Sequence, residues 1–176
     1  MPLRVFEQRY MQMAKACLRD GTAFGVCAIR EGAEVGAPAT PYDVGTIAKI
    51  AQWDMAQLGV LEIVAHGTQR FRILERRTQP DGLQLADIEL MAPEREGPVP
   101  ASCSGCVQLL ERIIEQHAGL FLPPHELDSA AWVGARLAEL LPLPLAIKQE
   151  LLELDDAVAR LERLNALLRA NAREGS

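Results

Sequence analysis

Val60 to Leu74 reads VLEIVAHGTQRFRIL, and its periodicity decides the fold class of everything around it. Leu61, Ile63 and Ala65 alternate with Glu62, Val64 and His66; beyond Gly67, Phe71 and Ile73 alternate with Arg70 and Arg72. A period of two belongs to strands. Gly67-Thr68 interrupts it, and because glycine tolerates positive φ the sequence predicts two strands reversing there. The flanking segments are also extended, which places this stretch at the centre of a β-domain.

Working outward, Val44 to Met55 is the next extended segment: Thr46, Ile47, Ile50 and Trp53 are β-formers and no helix cap precedes them, although Ala48, Ala51 and Ala56 dilute the signal. Phe24 to Arg30, FGVCAIR, reads as another strand, ending in the Gly- and Pro-rich loop from Glu31 to Pro41. Before it, Phe6, Tyr10, Met13, Ala14 and Cys17 recur at helical spacing, with Gly21 in C-cap position. Downstream, Gln79-Pro80-Asp81-Gly82 is a turn by its own chemistry, Pro presetting one φ and Gly supplying another. Leu83 to Met91 is then the last long strand. Five strands and one helix are assigned to this half.

Ala92 to Pro100, APEREGPVP, suits neither a helix interior nor a central strand. The boundary is therefore placed within it, giving a β half over 1–97 and a helical half over 98–176. In the second half Val107, Leu110, Ile113, Ile114 and His117 mark one helix. Asp128 or Ser129 caps a second that carries Trp132, Val133, Leu137 and Leu140. Pro142 and Pro144 break it; a third carries Ile147, Leu151, Leu152 and Leu154; a fourth starts at Asp155 or Asp156, whose carboxylates suit a helix N-terminus. Leu154, Val158, Leu161, Asn165 and Leu168 form a short seam, which either packs inside the bundle or makes a homodimer.

The 176 residues carry a net charge of −6. Both halves are acidic, and a phosphate backbone is repelled by such a surface, so nucleic acid is not expected as a partner. Arg70, Arg72, Arg76 and Arg77 are the one basic cluster, and a solvated face accounts for it. No apolar run approaches the ~20 residues that span a bilayer, nor is there a signal-like N-terminus, so no membrane partner is expected and the protein is read as cytoplasmic. Four cysteines are too few for a disulfide scaffold in a chain this long.

Cys103-Ser104-Gly105-Cys106 has the spacing of a redox pair or half a zinc site, and a helix starting beside it would lower a thiol pKa through its dipole. Against this, the segment before it is a linker and not a buried strand, and further ligands would have to come from Cys17, Cys27, His66, His117 or His125, none closely paired. Packing by two small residues is the plainer reading. His66, His117 and His125, the last two flanking Gly119 to Pro124, have no carboxylate or serine partner spaced for general-base work. Trp53, Met55 and Leu58 lie near a turn, where they form an apolar contact for an unfolded segment or, for Trp53, part of the core. No cofactor or metal is expected.

In their order, PLRVFEQRY (Pro2 to Tyr10), FGV (Phe24 to Val26), GTIAKI (Gly45 to Ile50), HGTQRFRIL (His66 to Leu74) and LPLPLAIKQELLELDDAVARLERL (Leu141 to Leu164) resemble the N-terminal substrate-recognition domain of Lon ATP-dependent proteases, in the short bacterial form that stands alone. The resemblance implies an α+β fold, a PUA-like β-barrel followed by a helical bundle. Family members begin with a further strand-bearing segment of about twenty residues before the position of Leu3; here the chain starts almost at the helix, which leaves a barrel edge unpaired, and exposed edges promote association. In the family the last helix leads to an ATPase and a Ser-Lys peptidase. None of the 13 glycines precedes a lysine, so a P-loop is absent. Ser102, Ser104, Ser129 and Ser176, with Lys15, Lys49 and Lys148, are the peptidase candidates, and none sits in a nucleophile turn.

These readings converge on a non-catalytic module whose apolar groove, at the junction of barrel and bundle, recognises unfolded polypeptide, and which serves a protease machine as adaptor or regulator. Two alternatives stay open: a thiol redox or zinc-binding protein centred on Cys103 and Cys106, and a domain that only dimerises.

Overall fold

The computed structural model describes residues 1–33, 35, 36, 38–117 and 123–174, in two units, of which the first is Met1–Ala92 and the second opens at Pro93. Ser176 and Gly119, named above, lie outside the described residues.

In the first unit the order is β1 (Pro2–Val5), α1 (Gln8–Asp20), β2 (Phe24–Val26), β3 (Ile29–Glu31), β4 (Thr40–Pro41), β5 (Val44–Gln57), β6 (Val60–Thr78) and β7 (Gln84–Leu90). The sheet runs β1-β6-β5-β2, β7 joins the far part of β6, and β3 pairs with β4 separately. Every ladder is antiparallel. Among the described residues these ladders do not close on themselves, so the barrel implied by the resemblance is here an open sheet.

Gly67 does not reverse the chain. β6 is a single 19-residue strand, and Gly67 sits where its register against β5 slips: Thr46 faces Arg70, whereas Ala48 faces Gly67. β6 therefore holds an extra residue at Thr68-Gln69, a bulge that bends the strand instead of ending it. The Thr68 hydroxyl donates to the Ile47 carbonyl at 3.2 Å within this irregularity. A second correction concerns the start of the chain. Pro2–Val5 is a strand, paired with Leu61–Val64, so this edge of β6 is covered and not bare.

α1 begins at Gln8, after Glu7 in extended conformation, so Phe6 lies outside the helix and is exposed. The buried stripe is Met11, Ala14 and Cys17, and Met11 and Ala14 pack on Leu61 and Ile63 with Leu3, Val5, Phe24 and Ile50 around them. Gly21, at φ 64°, ends the helix as expected. Arg9 is 94% withdrawn from solvent, at 6% exposure, and donates to the carbonyls of Gly82 (3.2 Å) and Gly36 (3.0 Å) while pairing with Glu7 at 2.7 Å. It thereby fixes the Gln79–Gly82 turn, in which the Gly82 N–H donates to Gln79 and φ is 86°.

In the second unit a 3₁₀ turn at Ala101–Cys103 leads to α2 (Ser104–Gln116), α3 (Ala130–Leu140), α4 (Leu145–Glu153) and α5 (Ala157–Glu174). Ser129 caps α3 by accepting from Trp132 N–H at 3.2 Å, and the Asp156 carboxylate accepts from Ala159 N–H at 2.9 Å. The core is Leu110, Val133, Leu137, Leu151, Leu161 and Leu164, with Cys103 and Cys106 among them. The short seam is used inside this core: Leu161 is part of it, Leu154, at the end of α4, packs against it with Val158 and Leu168 of α5, and Asn165 donates to the Ser102 carbonyl. Pro93–Val99 is not a free linker either, since Arg95 pairs in parallel with Asp156, and Ala130 N–H donates to Gly97.

Gly45 marks the tightest point of the sheet. A Cβ there would lie 2.5 Å from both Cys27 Sγ and the Val26 carbonyl and 2.8 Å from the Phe71 ring, whereas at Gly105 it would meet nothing. Gly45→Ala is expected to lower stability by about 1–3 kcal/mol through overpacking. Gly105→Ala, in α2, should leave it unchanged or raise it by up to about 1 kcal/mol. Urea denaturation followed by circular dichroism checks both; equal midpoints would contradict the steric reading.

Candidate functional site

In the hairpin of β5 and β6, β1 and α1 cover the β6 limb, and the outer β5 limb forms an arm exposed to solvent. From Ala51 to Gln57 every residue of β5 is exposed, while Leu61, Ile63 and Ala65 on the facing strand are buried. Gln57 pairs with Val60, leaving Leu58-Gly59 as the turn, with Gly59 at φ 83° supplying the left-handed position a tight reversal needs. Two register shifts lie in the arm, between Ile50 and Gln52 and between Asp54 and Gln57, each placing an extra residue on β5. Bulges of this kind re-aim side chains.

All three residues singled out from the sequence fall on this arm. Trp53 is 60% exposed and Leu58 96%, with Met55 at 37%. Trp53 is thus not a core residue, although it pairs with buried Ile63. Only Trp53 of the three also lines an open groove of about 560 Å³, formed by Pro2–Arg4 of β1, Gln52–Asp54 of β5 and Glu62–Val64 of β6. The register arranges this groove in three cross-strand rows: Leu3, Ile63 and Trp53; Pro2, Val64 and Gln52; Arg4, Glu62 and Asp54.

The charged row holds one cation and two anions. Arg4 Nε lies 3.5 Å from Glu62 Oε1. Asp54 accepts the Met55 N–H at 2.7 Å and, among the described residues, has no cationic side chain beside it. Because successive residues of a strand point to opposite faces, the apolar row and the row with surplus negative charge lie on opposite faces of the same strands. Sequence reasoning missed Leu3 and Arg4 because β1 was not recognised; the alternation of Leu3 and Val5 with Arg4 was the available signal.

The remaining candidates disperse. Cys103 and Cys106 are buried in the helical core at 0% and 1% exposure. Burial pushes the Cys106 thiol up to about 11, Cys103 adding to the rise and Arg169 opposing it. That is opposite to the lowering a helix dipole would give, and a thiolate is what redox attack and zinc ligation require. Cys106 Sγ instead donates to Asn165 Oδ1 at 3.8 Å. Burial likewise raises the Cys27 thiol, with Arg76 opposing. Among the described residues no three His, Cys, Asp or Glu groups gather as a metal site. Ser129 is a helix cap, Ser102 Oγ lies 3.8 Å from Cys103 Sγ, and the His125 ring packs 5.8 Å from that of Trp132. In the arginine cluster Arg76 pairs with Asp43 and Arg77 with Asp87, and Arg72 faces Glu89 across the ladder. Among the described residues no helix is long and apolar enough to cross a membrane.

Residues 1–170 match the family described as the ATP-dependent protease La (LON) substrate-binding domain. The crystal structure of a Lon N-terminal domain protein from Xanthomonas campestris is 36% identical, with a TM-score of 0.77 over 94% of this chain and 88% of that one. The N-terminal domain of a Mycobacterium avium complex Lon protease shares the fold at 20% identity and a TM-score of 0.57, over 93% of this chain and 87% of that one. Among curated relatives, cereblon of Xenopus tropicalis is 32% identical over 57% of this chain and 22% of its own length, and a Lon protease of Desulfovibrio desulfuricans is 28% identical over 96% and 20%. The chain thus spans about a fifth of the length of these relatives.

The buried thiol carries its own expected pH dependence. Below the ordinary thiol value of 9.0 Cys106 is protonated whether the chain is folded or not, but between there and about 11 only the folded chain keeps the proton. Stability contributed by the protonated thiol is therefore lost as pH rises through this window. Urea midpoints measured across it should fall less steeply for Cys106→Ala than for the parent chain, and equal slopes would refute the assignment.

Proposed function

Because this chain belongs to the family of ATP-dependent protease La (LON) substrate-binding domains, we propose that it binds unfolded polypeptide, with Trp53, Met55 and Leu58 on the β5–β6 arm as the contact surface. The observation that carries this reading is the exposure of large apolar side chains together on one arm, with Trp53 at 60% and Leu58 at 96%. Aromatic anchors dominate binding energy where a partner covers them. Unfolded chains are suited to such a surface because their apolar segments bury area without sequence-specific polar contacts.

The site binds and does not transform. Its polar groups are Arg4, Glu62, Asp54 and Gln52, which present no nucleophile beside a base. A role as adaptor or regulator for a proteolytic machine follows from this reading: the module selects chains that another component unfolds and cuts.

Trp53 reports on the contact directly, since the second tryptophan, Trp132, packs against the helical core and its signal is removed by Trp132→Phe. In that background a carboxymethylated, permanently unfolded protein should shift the Trp53 emission, while the same protein in native form should not. Leu58→Ser, at an exposed position, should change stability by no more than about 0.5 kcal/mol. Combined with Trp53→Ala it should weaken binding of the unfolded probe, followed by anisotropy, about tenfold or more. Undiminished affinity in the double variant, or no binding by the parent chain, would overturn the proposal.

A further inference from the structure

Among the described residues the arm also has a backbone edge without a strand partner. β2 pairs with β5 only from Thr46 to Ala48, and β6 occupies the other edge of β5. Among the described residues no strand lies against the β2 side of β5 from Lys49 to Gln57. An edge of this kind presents unpaired N–H and C=O groups, which bind another extended backbone as an added strand. Trp53 and Asp54 stand on this same segment.

Resting on the function proposed above and narrowing its substrate class, we infer that the Lys49–Gln57 edge takes an extended segment of apolar and basic composition as an additional strand. The choice of a basic segment follows from charge. The row beside the edge holds Asp54 and Glu62 against Arg4 alone, and the chain as a whole carries −6. A lysine or arginine facing Asp54 supplies the missing counter-charge, while apolar neighbours cover Trp53. A flexible chain is favoured over a second copy of this protein for two reasons. Two copies carry like net charge, and a rigid copy would bring its own two irregularities in β5 against those already present, whereas an unfolded segment adjusts its backbone to follow them.

The test uses the full chain and a fluorescein-labelled octapeptide alternating leucine and lysine, with two analogues N-methylated on alternate residues, one set for each edge of the peptide strand. Methylation removes N–H donors and leaves the side chains in place. The parent peptide should bind and slow amide exchange across Lys49–Gln57; one analogue should lose affinity about tenfold or more and the other should change by no more than about twofold. Asp54→Asn should weaken the lysine peptide about threefold and flatten its salt dependence. If both analogues bind as the parent does while the carboxymethylated probe still binds, strand addition is wrong and the apolar contact stands. If the octapeptide does not bind but the probe does, this inference fails alone; if neither binds, both readings fail. A dimer that the peptide dissociates would assign the edge to a second copy and overturn the occupant argued here.

Discussion

Antiparallel pairing between β5 and β6 is the constraint from which the first unit follows. β6 serves three neighbours along one continuous strand: β1 and the outer part of β5 near its start, β7 beyond Arg70. A strand of this length cannot stay flat, because neighbouring strands twist by roughly 20–25° relative to one another. The register slips relieve that strain at defined points. One of them, between Ile73 and Glu75, leaves Leu74 as the unpaired residue and accounts for its 64% exposure despite its apolar character. Farther in, the Phe71 ring fills the space that Gly45 and Gly25 leave open, so two residues without side chains and one large ring form a single packing solution.

The second unit depends on a buried cation. Arg160, at 6% exposure, donates from Nε to the Leu151 carbonyl and from Nη2 to Leu154, both at 2.9 Å, and pairs with Glu94. These carbonyls end α4, where no further helical turn exists to receive N–H donors. One side chain thus satisfies a helix terminus and holds the Pro93–Val99 segment to the bundle through Glu94. A guanidinium suits this task because its planar fork carries five donors and stays charged when buried.

Elements whose signals are local were legible in the sequence. The α1 C-cap at Gly21, the turn at Gln79–Gly82, the caps at Ser129 and Asp156 and the helical periods of the second unit all depend on residues within a turn of one another. Gly67 was misread because a glycine in a turn and a glycine in a bulge have the same local chemistry; what distinguishes them is the pairing of a distant strand, here Ala48 opposite Gly67. β1 escaped because four residues before a helix give too few alternations to register. The surface residues Trp53, Met55 and Leu58 were legible as apolar residues near a turn, but the groove was not, since Leu3 and Arg4 join it only through pairing with β6. For Cys103 and Cys106 the spacing was legible and the environment was not: both are buried, burial pushes the Cys106 thiol up, and burial is a property of the folded core.

An uncovered apolar arm is stable only if its irregularities prevent the association that its composition invites. Regular edges recruit identical edges, because each unpaired amide finds a partner at a constant repeat. Here the repeat is broken at Ala51 and again within Met55-Ala56, so a second rigid arm would have to match both breaks. Lys49 and Asp54 add charge to the same segment. These devices oppose stacking of like arms without covering Trp53, and burying a large apolar side chain is worth about 1.5–3 kcal/mol to whatever does cover it. On the function proposed above, specificity against self and adaptability toward a flexible chain have one origin: a broken edge is a poor template for a rigid strand and a workable one for a strand that has not yet chosen its shape.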